Sequence, residues 1–287
     1  MSRMRARELS ILLRRFADHA LGRDRTLVLN RDAPASAPAG PDVAGHLKAL
    51  VGAVAAEASD PASGRLDYGR ARGNPAYARY RQRAGTLHAF DPGTLAGRDA
   101  RLAFWINLYN ALVIDAVIQL GVRTSVMEVP GFFWRVAYGV GGVAYSLDDI
   151  EQGVLRGNAD HPILRRPLLG QHDPRRRQVI EPPDARVHFA LTCATRSCPP
   201  VRVYDAPHID RQLDLAAWNF INGGGVEVDL DRRIVRLSQI FRWYARDFGS
   251  PLEFVARYLA DGPEKSLLQE SSDLTADYLP YDWRLNV

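Results

Sequence analysis

Cysteine is nearly absent: Cys193 and Cys198 are the only two in 287 residues. That excludes a disulfide framework. Four residues separate them, against two in a zinc knuckle or thioredoxin-type redox motif, so those readings fail as well. Lysine is scarce too. Only Lys48 and Lys265 carry an ammonium, which leaves 35 of the 37 cations as arginine. The net charge of +4 is too small over this length to be the footprint of a nucleic-acid binder. No unbroken apolar run reaches the ~18 residues of a membrane helix. Leu9-Ser10-Ile11-Leu12-Leu13, ahead of Arg14 and Arg15, is shorter than a secretory core and has no small-residue cleavage site after it. The expectation is a cytoplasmic protein with no transmembrane segment and no nucleic-acid partner. Histidines at paired metal spacing are missing, so no cofactor is expected. What remains is ordinary globular material, 46% apolar and 24% charged. A chain of this size buries roughly 75% of its unfolded surface without a metal or a crosslink.

Helical periodicity opens the chain. Leu9, Leu12, Leu13, Phe16 and Ala20 share one face of a stretch from Arg5 to Leu21, with arginines on the other. The stretch reads as a helix packed on the domain, or as a basic helix that docks on a membrane surface or a protein partner. Ala33 to Pro41 is a linker rich in alanine and proline. Residues 1–41 therefore read as an accessory segment, and 42–287 as one domain. Asp42 caps a helix reaching about Glu57, and another covers Ala76–Ala84. The run from Asp99 to Leu120 is apolar almost all round and reads as a buried helix closed by Gly121. Gly141-Gly142, between Val136–Val140 and Val143–Tyr145, is a two-residue hairpin signal. Ser146 and Asp149 form a capping box, and Gly157 ends the helix it opens. Arg186 to Thr192 reads as a buried strand, Ala206–Ile221 as a helix, and Val226–Leu230 with Ile234–Leu237 as a second hairpin. Capped helices start at Ser238 and Ser250. Helices and antiparallel hairpins alternate irregularly, which predicts an α+β fold with a buried central helix and a small antiparallel sheet.

Three clusters bear on chemistry. Asn107 and Asn110 lie three apart on one face of the buried helix, where unpaired amides would cost ~1–3 kcal/mol per group. They either brace loop backbone or point into a polar site. His188 sits in an apolar run, and Cys193 follows where that run gives way to a small-residue loop, a position suited to thiol chemistry. In a continuous strand the two would face opposite sides, so pairing them requires a turn between. Asp148, Asp149 and Glu151 fill a first turn, either answering the helix dipole or, with His188, offering a weaker metal reading. His161 and His172 flank an Arg- and Pro-rich loop and read as surface.

FWINLYNAL at 104–112, SLDDIEQGVLR at 146–156, VHFALTCATRSCPP at 187–200 and YDWRLN at 281–286, in this order, resemble the domain-of-unknown-function 547 family. The likeness spans roughly Leu66 to Val287 and implies a fold family without an activity. Members often carry a histidine where this chain has Gln152, which removes that position as an essential base. Plant members lose the second loop cysteine, which implies that Cys193 matters more than Cys198. Thr192 stands where Asn is usual. A distant likeness to papain- or transglutaminase-like folds would imply a Cys–His–acid/amide triad.

Two functions follow as expectations. One is a thiol-dependent hydrolase or acyltransferase acting on an amide or thioester. Cys193 is its nucleophile and His188 its base, with Asn107 or Glu151 orienting the imidazole. The amides of Ala194 and Thr195 would hold the oxyanion, Asn110 would line the site, and Arg196 would favour an anionic substrate. The other is a non-catalytic module that binds a protein or peptide.

Overall fold

The computed structural model describes residues 26–31, 42–56, 67–271 and 273–286. The amphipathic stretch at 5–21 and the linker at 33–41 lie outside the described residues.

Three helices precede the central one: α1 (Val43–Ala56), α2 (Tyr68–Ala71) and α3 (Pro75–Thr86). Asp42 accepts the Gly45 N–H at 2.9 Å, and Asn74 accepts from Ala76 at 2.8 Å, with Pro75 preset for the first helical position. The central helix α4 (Gly97–Leu120) runs 24 residues, and Gly121, at φ 63°, closes it in the left-handed conformation. Among the described residues α4 alone is long and apolar enough to cross a membrane, yet 94% of its most apolar window is buried inside the protein. It is the core helix, wrapped by α1, α2 and α3.

α5 (Phe132–Arg135) leads into the first sheet, ordered β1 (Leu27–Val28), β2 (Val136–Val140), β3 (Val143–Ser146). β2 and β3 pair antiparallel across Gly141 and Gly142, whose φ values of 57° and 78° are those a tight hairpin turn demands. β1 adds in parallel. This corrects the expected boundary at residue 42. Asn30, fully buried, donates to Ala84 O and Gly139 O and accepts from Gly139 N. Residues 27–30 therefore belong to the domain.

Ser146 and Asp149 satisfy each other's backbone N–H as the capping box requires, but the turn they open is π-helical, Asp149–Leu155. The predicted strand at 186–192 is a 3-10 helix, Ala185–Phe189, followed by loop. Asp184 accepts the Arg186 N–H at 3.0 Å and so starts a helical turn. A short apolar run looks the same in a buried strand and a buried turn, and the capping aspartate decides it.

α6 (Ile209–Phe220) follows a 3-10 turn, Ala206–His208, that holds Pro207. The second sheet comprises β4 (Val226–Asp229), β5 (Ile234–Leu237) and β6 (Thr275–Tyr278), with β4 antiparallel and β6 parallel to β5. Between β5 and β6 run α7 (Gln239–Trp243), α8 (Ala245–Phe248), α9 (Pro251–Tyr258) and α10 (Pro263–Glu270). The sequence reading did not anticipate α10, β1 or β6. A second apolar cluster covers this sheet, with Phe241 and Phe248 ring centroids 4.8 Å apart and Phe189 packed on both. Phe189 thus ties the short 3-10 helix to the second sheet, one residue beyond His188. The architecture is helix-rich α+β with two small mixed sheets.

Candidate functional site: a thiol cluster and a polar network

α4 builds the site by bracing loops. Asn110 donates to Ala190 O at 2.9 Å and accepts from Thr192 N at 2.9 Å, which fixes the loop into Cys193 from both sides. Asn107 does the same for Tyr204, donating to its carbonyl at 2.7 Å and accepting its N–H at 2.9 Å. Each amide satisfies one backbone donor and one acceptor that would otherwise be buried and unpaired. Asn107 therefore does not orient His188, contrary to expectation.

Beyond Thr192 the chain turns sharply. Ala194 takes φ 58°, a left-handed conformation that costs a residue with a Cβ roughly 1–3 kcal/mol. The C-terminal segment holds this turn: Asn286 N donates to Ala194 O, Arg196 N donates to Arg284 O, and Thr195 bridges Leu285. The YDWRLN segment thereby closes over the thiol loop, and Tyr281 reaches Cys193.

Cys193 is 7% exposed, and hydrogen-bond donors surround its sulfur. Thr195 Oγ1 and Tyr281 Oη each lie 3.1 Å from Sγ, and the Thr195 N–H points at it as well. Cys198 Sγ is 2.8 Å away, and both cysteines are free thiols. Burial alone pushes the Cys193 thiol up, but the hydrogen bonds from Cys198, Thr195 and Tyr281 outweigh it, and the net direction is down. Cys198 moves well up, through burial and the proton shared with Cys193. Of the two sulfurs, the surroundings favour the thiolate at Cys193 and the thiol at Cys198.

His188 is elsewhere. Its Nε2 lies 2.8 Å from Asp247 Oδ2, and its ring stacks on Tyr244 at 3.9 Å between centroids. No histidine among the described residues hydrogen-bonds Cys193, and the expected Cys193–His188 pair is not formed. The 3-10 helix turns His188 toward α8, where Asp247 captures it. Asp247 also takes a two-pronged contact from Arg156, at 2.5 and 2.7 Å. Burial would raise the Asp247 carboxyl, but the hydrogen bonds from Arg156 and His188 hold it well below the ordinary carboxylate range. Arg156 bonds Gln152, whose amide nitrogen is 3.4 Å from Tyr244 Oη. Tyr244 donates to Glu151 Oε1 at 2.6 Å, and Tyr109 donates to Glu151 Oε2 at 3.2 Å. Glu151 thus serves two tyrosines and not the imidazole.

The remaining expectations divide in the same way. The Ala194 N–H donates to Thr192 Oγ1 and the Thr195 N–H to the Cys193 sulfur, so neither is free for an oxyanion in the resting site. Arg196 is exposed, its Nε 3.3 Å from Leu285 O. Asp148, Glu151 and His188 are not brought together: Asp148 lies 3.8 Å from His161 Nε2, and no group of three metal-ligating side chains occurs among the described residues. His161 is buried, accepting from the backbone of Ile163 and Leu164, and is not a surface residue. Tyr281, Tyr109, Tyr244, Arg156 and Asp247 were missed as site residues. Tyr281, Tyr109 and Arg156 had a signal, their places in YDWRLN, FWINLYNAL and SLDDIEQGVLR; Tyr244 and Asp247 had none.

Two cavities border other parts of the fold. One of about 600 Å³ is lined by Arg186, Asp247 and α9 residues, and one of about 260 Å³ lies at the start of α4. Neither includes Cys193, whose neighbours Cys198 and Tyr281 are half-exposed.

No curated protein and no solved structure matches the chain, so nothing supports the papain- or transglutaminase-like likeness. The model of a family described as "Protein of unknown function, DUF547" matches residues 93–221. That span holds α4, the Ser146 turn and the whole thiol loop, and over it the chain is similar to the DUF547 family.

Proposed function

We propose that the protein is a thiol-dependent acyl-transfer enzyme, hydrolase or acyltransferase, with Cys193 as nucleophile. The observation that carries this reading is the convergence of Thr195 Oγ1, the Thr195 N–H, Tyr281 Oη and Cys198 on one buried sulfur. A thiolate so held needs no histidine to remove its proton. As it attacks a carbonyl, charge leaves sulfur for the adjacent oxygen. Donors that served the thiolate are then free to follow that charge. The absence of a histidine on the sulfur also bears on substrate. An amide needs its leaving nitrogen protonated, whereas a thioester expels a thiolate directly, so the reading favours thioesters over amides.

One observation favours a second reading. Sulfurs 2.8 Å apart with opposite shifts suit a dithiol in which Cys193 attacks a disulfide and Cys198 resolves it. Intact-mass spectrometry after incubation with an S-acyl cysteamine thioester separates the two. The acyl reading expects an adduct on Cys193 that is lost in Cys193→Ser and retained in Cys198→Ser. A dithiol expects no acyl adduct and, on a parallel incubation with cystamine, attack of Cys193 on its S–S bond with release of cysteamine, leaving a mixed disulfide that accumulates in Cys198→Ser. If neither adduct forms and the thiol alkylates like an unperturbed cysteine, the chain is a binding module.

A further inference from the structure

We propose that the N-terminus of α4 is a binding site for a protonated phosphoryl group, either hydrogen phosphate or the headgroup of a small phosphate monoester. The cavity there, about 260 Å³, is lined by Gly97, Arg98, Arg101, Arg177, Gln178 and Glu181 among others, and shares no lining residue with the thiol cluster. Its volume is just short of the ~300 Å³ at which ordinary small-molecule pockets begin, which suits an oxyanion with little attached.

The cations of the site, Arg98, Arg101 and Arg177, outnumber the carboxylates beside it, Glu181 on the wall and Asp99 in the first turn of α4. Arg101 donates to the carbonyl of Val179 at 2.9 Å, and Arg98 to that of Pro182 at 3.0 Å. Carbonyls satisfy N–H groups but leave the positive charge in place. The nearest carboxylate to Arg98 is Asp184, at 3.9 Å, and Asp184 is already engaged by both prongs of Arg186. Arg177 is exposed and has no carboxylate partner among the described residues. α4 adds the positive end of a 24-residue helix whose N-cap, Ala96, has no side chain able to accept from the first-turn N–H groups. Gly97 opens this turn at φ 80°, and a Cβ placed on it would meet nothing within 4 Å, so the space beside the helix end is open.

Two unpartnered side-chain atoms point to a particular occupant. Arg98 Nε is a buried donor with no acceptor. Gln178 is 1% exposed, and its Oε1 is a buried acceptor with no donor. Leaving such groups unpaired costs ~1–3 kcal/mol each. A fully deprotonated oxyanion would satisfy Arg98 but not Oε1. An oxyanion that still carries a proton satisfies both, offering acceptors to the guanidiniums and one O–H to Gln178. Glu181, also on the wall, is a second acceptor for such a proton and repels an anion without one. The site therefore selects phosphate over sulfate, which has the same shape and no proton near neutral pH.

Isothermal titration of the full chain in a phosphate-free buffer at pH 7 tests this, with inorganic phosphate, glycerol 3-phosphate and sulfate as probes. Saturable binding of phosphate at least tenfold tighter than sulfate is expected. Arg177→Glu, at an exposed position, should weaken phosphate at least tenfold with an unchanged circular dichroism spectrum. Glu181→Gln should tighten sulfate and so narrow the ratio. Glycerol 3-phosphate bound as tightly as inorganic phosphate, or more so, assigns the site to a monoester headgroup; much weaker binding assigns it to the free ion. No saturable heat with phosphate, equal affinity for sulfate, or an Arg177→Glu variant that binds like the parent overturns the proposal.

Discussion

Tyr281→Phe removes one O–H from the sulfur of Cys193 and changes little else in volume. In the resting protein Tyr281 Oη is 3.1 Å from Cys193 Sγ, and its other polar neighbours are Thr195 Oγ1 at 3.3 Å and the Cys198 thiol. A hydrogen bond to a charged acceptor contributes about 1.5–3 kcal/mol. The low end of that range, about 1.5 kcal/mol, is roughly a tenfold change in an equilibrium constant. At a fixed pH below the midpoint, the thiolate fraction of Tyr281→Phe should therefore be about a tenth of the parent's. The second-order rate of alkylation by iodoacetamide, measured across pH, reads that fraction. The limb of the profile should move to higher pH, because removing a donor destabilises the thiolate and leaves the thiol untouched. Thr195→Val should move it in the same direction, and Cys198→Ser less, since a hydroxyl there still donates. His188→Gln should leave the profile in place, because the imidazole is bound to Asp247 and not to sulfur. Two results would refute the reasoning: an unmoved profile in Tyr281→Phe, or a His188→Gln profile that moves as far as the tyrosine variant's.

Asn110→Leu strands Ala190 O and Thr192 N–H, so urea unfolding should show a loss of about 2–5 kcal/mol together with slower alkylation of Cys193. Asn107→Leu should lose a similar amount through Tyr204 without moving the alkylation profile. Deleting residues 1–41 removes β1 and the three hydrogen bonds of Asn30, and should lower the thermal midpoint or give insoluble protein; Asn30→Ala should account for about 2–4 kcal/mol of that loss. For Asp247 the folded carboxyl is held below its unfolded value of ~3.9, so its stabilisation is present above that pH and fades as pH falls toward the folded value. The parent should thus lose stability steeply below about pH 4. Asp247→Asn should be less stable at pH 7, by about 3–5 kcal/mol for stranding Arg156, with a flatter acid limb in urea titrations at pH 7, 4 and 3.

Much of the fold was legible because short rules decide it. The Gly141-Gly142 hairpin, the Gly121 cap and the Ser146–Asp149 box each depend on two or three neighbouring residues, and each formed as read. The helix-rich α+β class followed from adding them up. What failed is what depends on distant partners. β1 and β6 are short strands with no alternation of their own, and they exist because β2 and β5 offer an open edge. The 186–192 run went wrong because periodicity is silent over so few residues, while Asp184 chose the helical turn. That error carried into the site. A strand would have placed His188 on the opposite face from Cys193; the 3-10 helix turns it to Asp247 instead. Asp247 lies 59 residues further on in unremarkable sequence, so nothing local identified it. Bracing was one of the two roles open to the asparagine pair, because the cost of a buried amide does not depend on knowing its partner; that Asn107 serves Tyr204 and not His188 depends on residues far away in sequence.

The thiol cluster and the carboxylate network are built as separate devices that meet at Tyr109. Its hydroxyl donates to Glu151, and both Glu151 and Cys193 push its own proton release well up, after burial, which is the larger cause. Burial and these two neighbours together favour the neutral phenol of Tyr109 where the two devices meet. The Arg156–Asp247–His188 chain is paired internally, with every charge answered by another. A network so closed is a poor proton relay, because each step would strand a buried ion. It suits a rigid wall. It fixes Tyr244 between His188 and Glu151, and through Glu151 fixes Tyr109 beside the sulfur. The thiol needs such a wall for a physical reason. Donors 3.1 Å from sulfur depress its proton affinity only if they cannot turn away, and a loop strained at Ala194 would relax without something stiff behind it. On this account the imidazole nearest Cys193 in sequence would serve the proposed chemistry without touching the sulfur, by fixing Tyr244 and Glu151 and through them Tyr109.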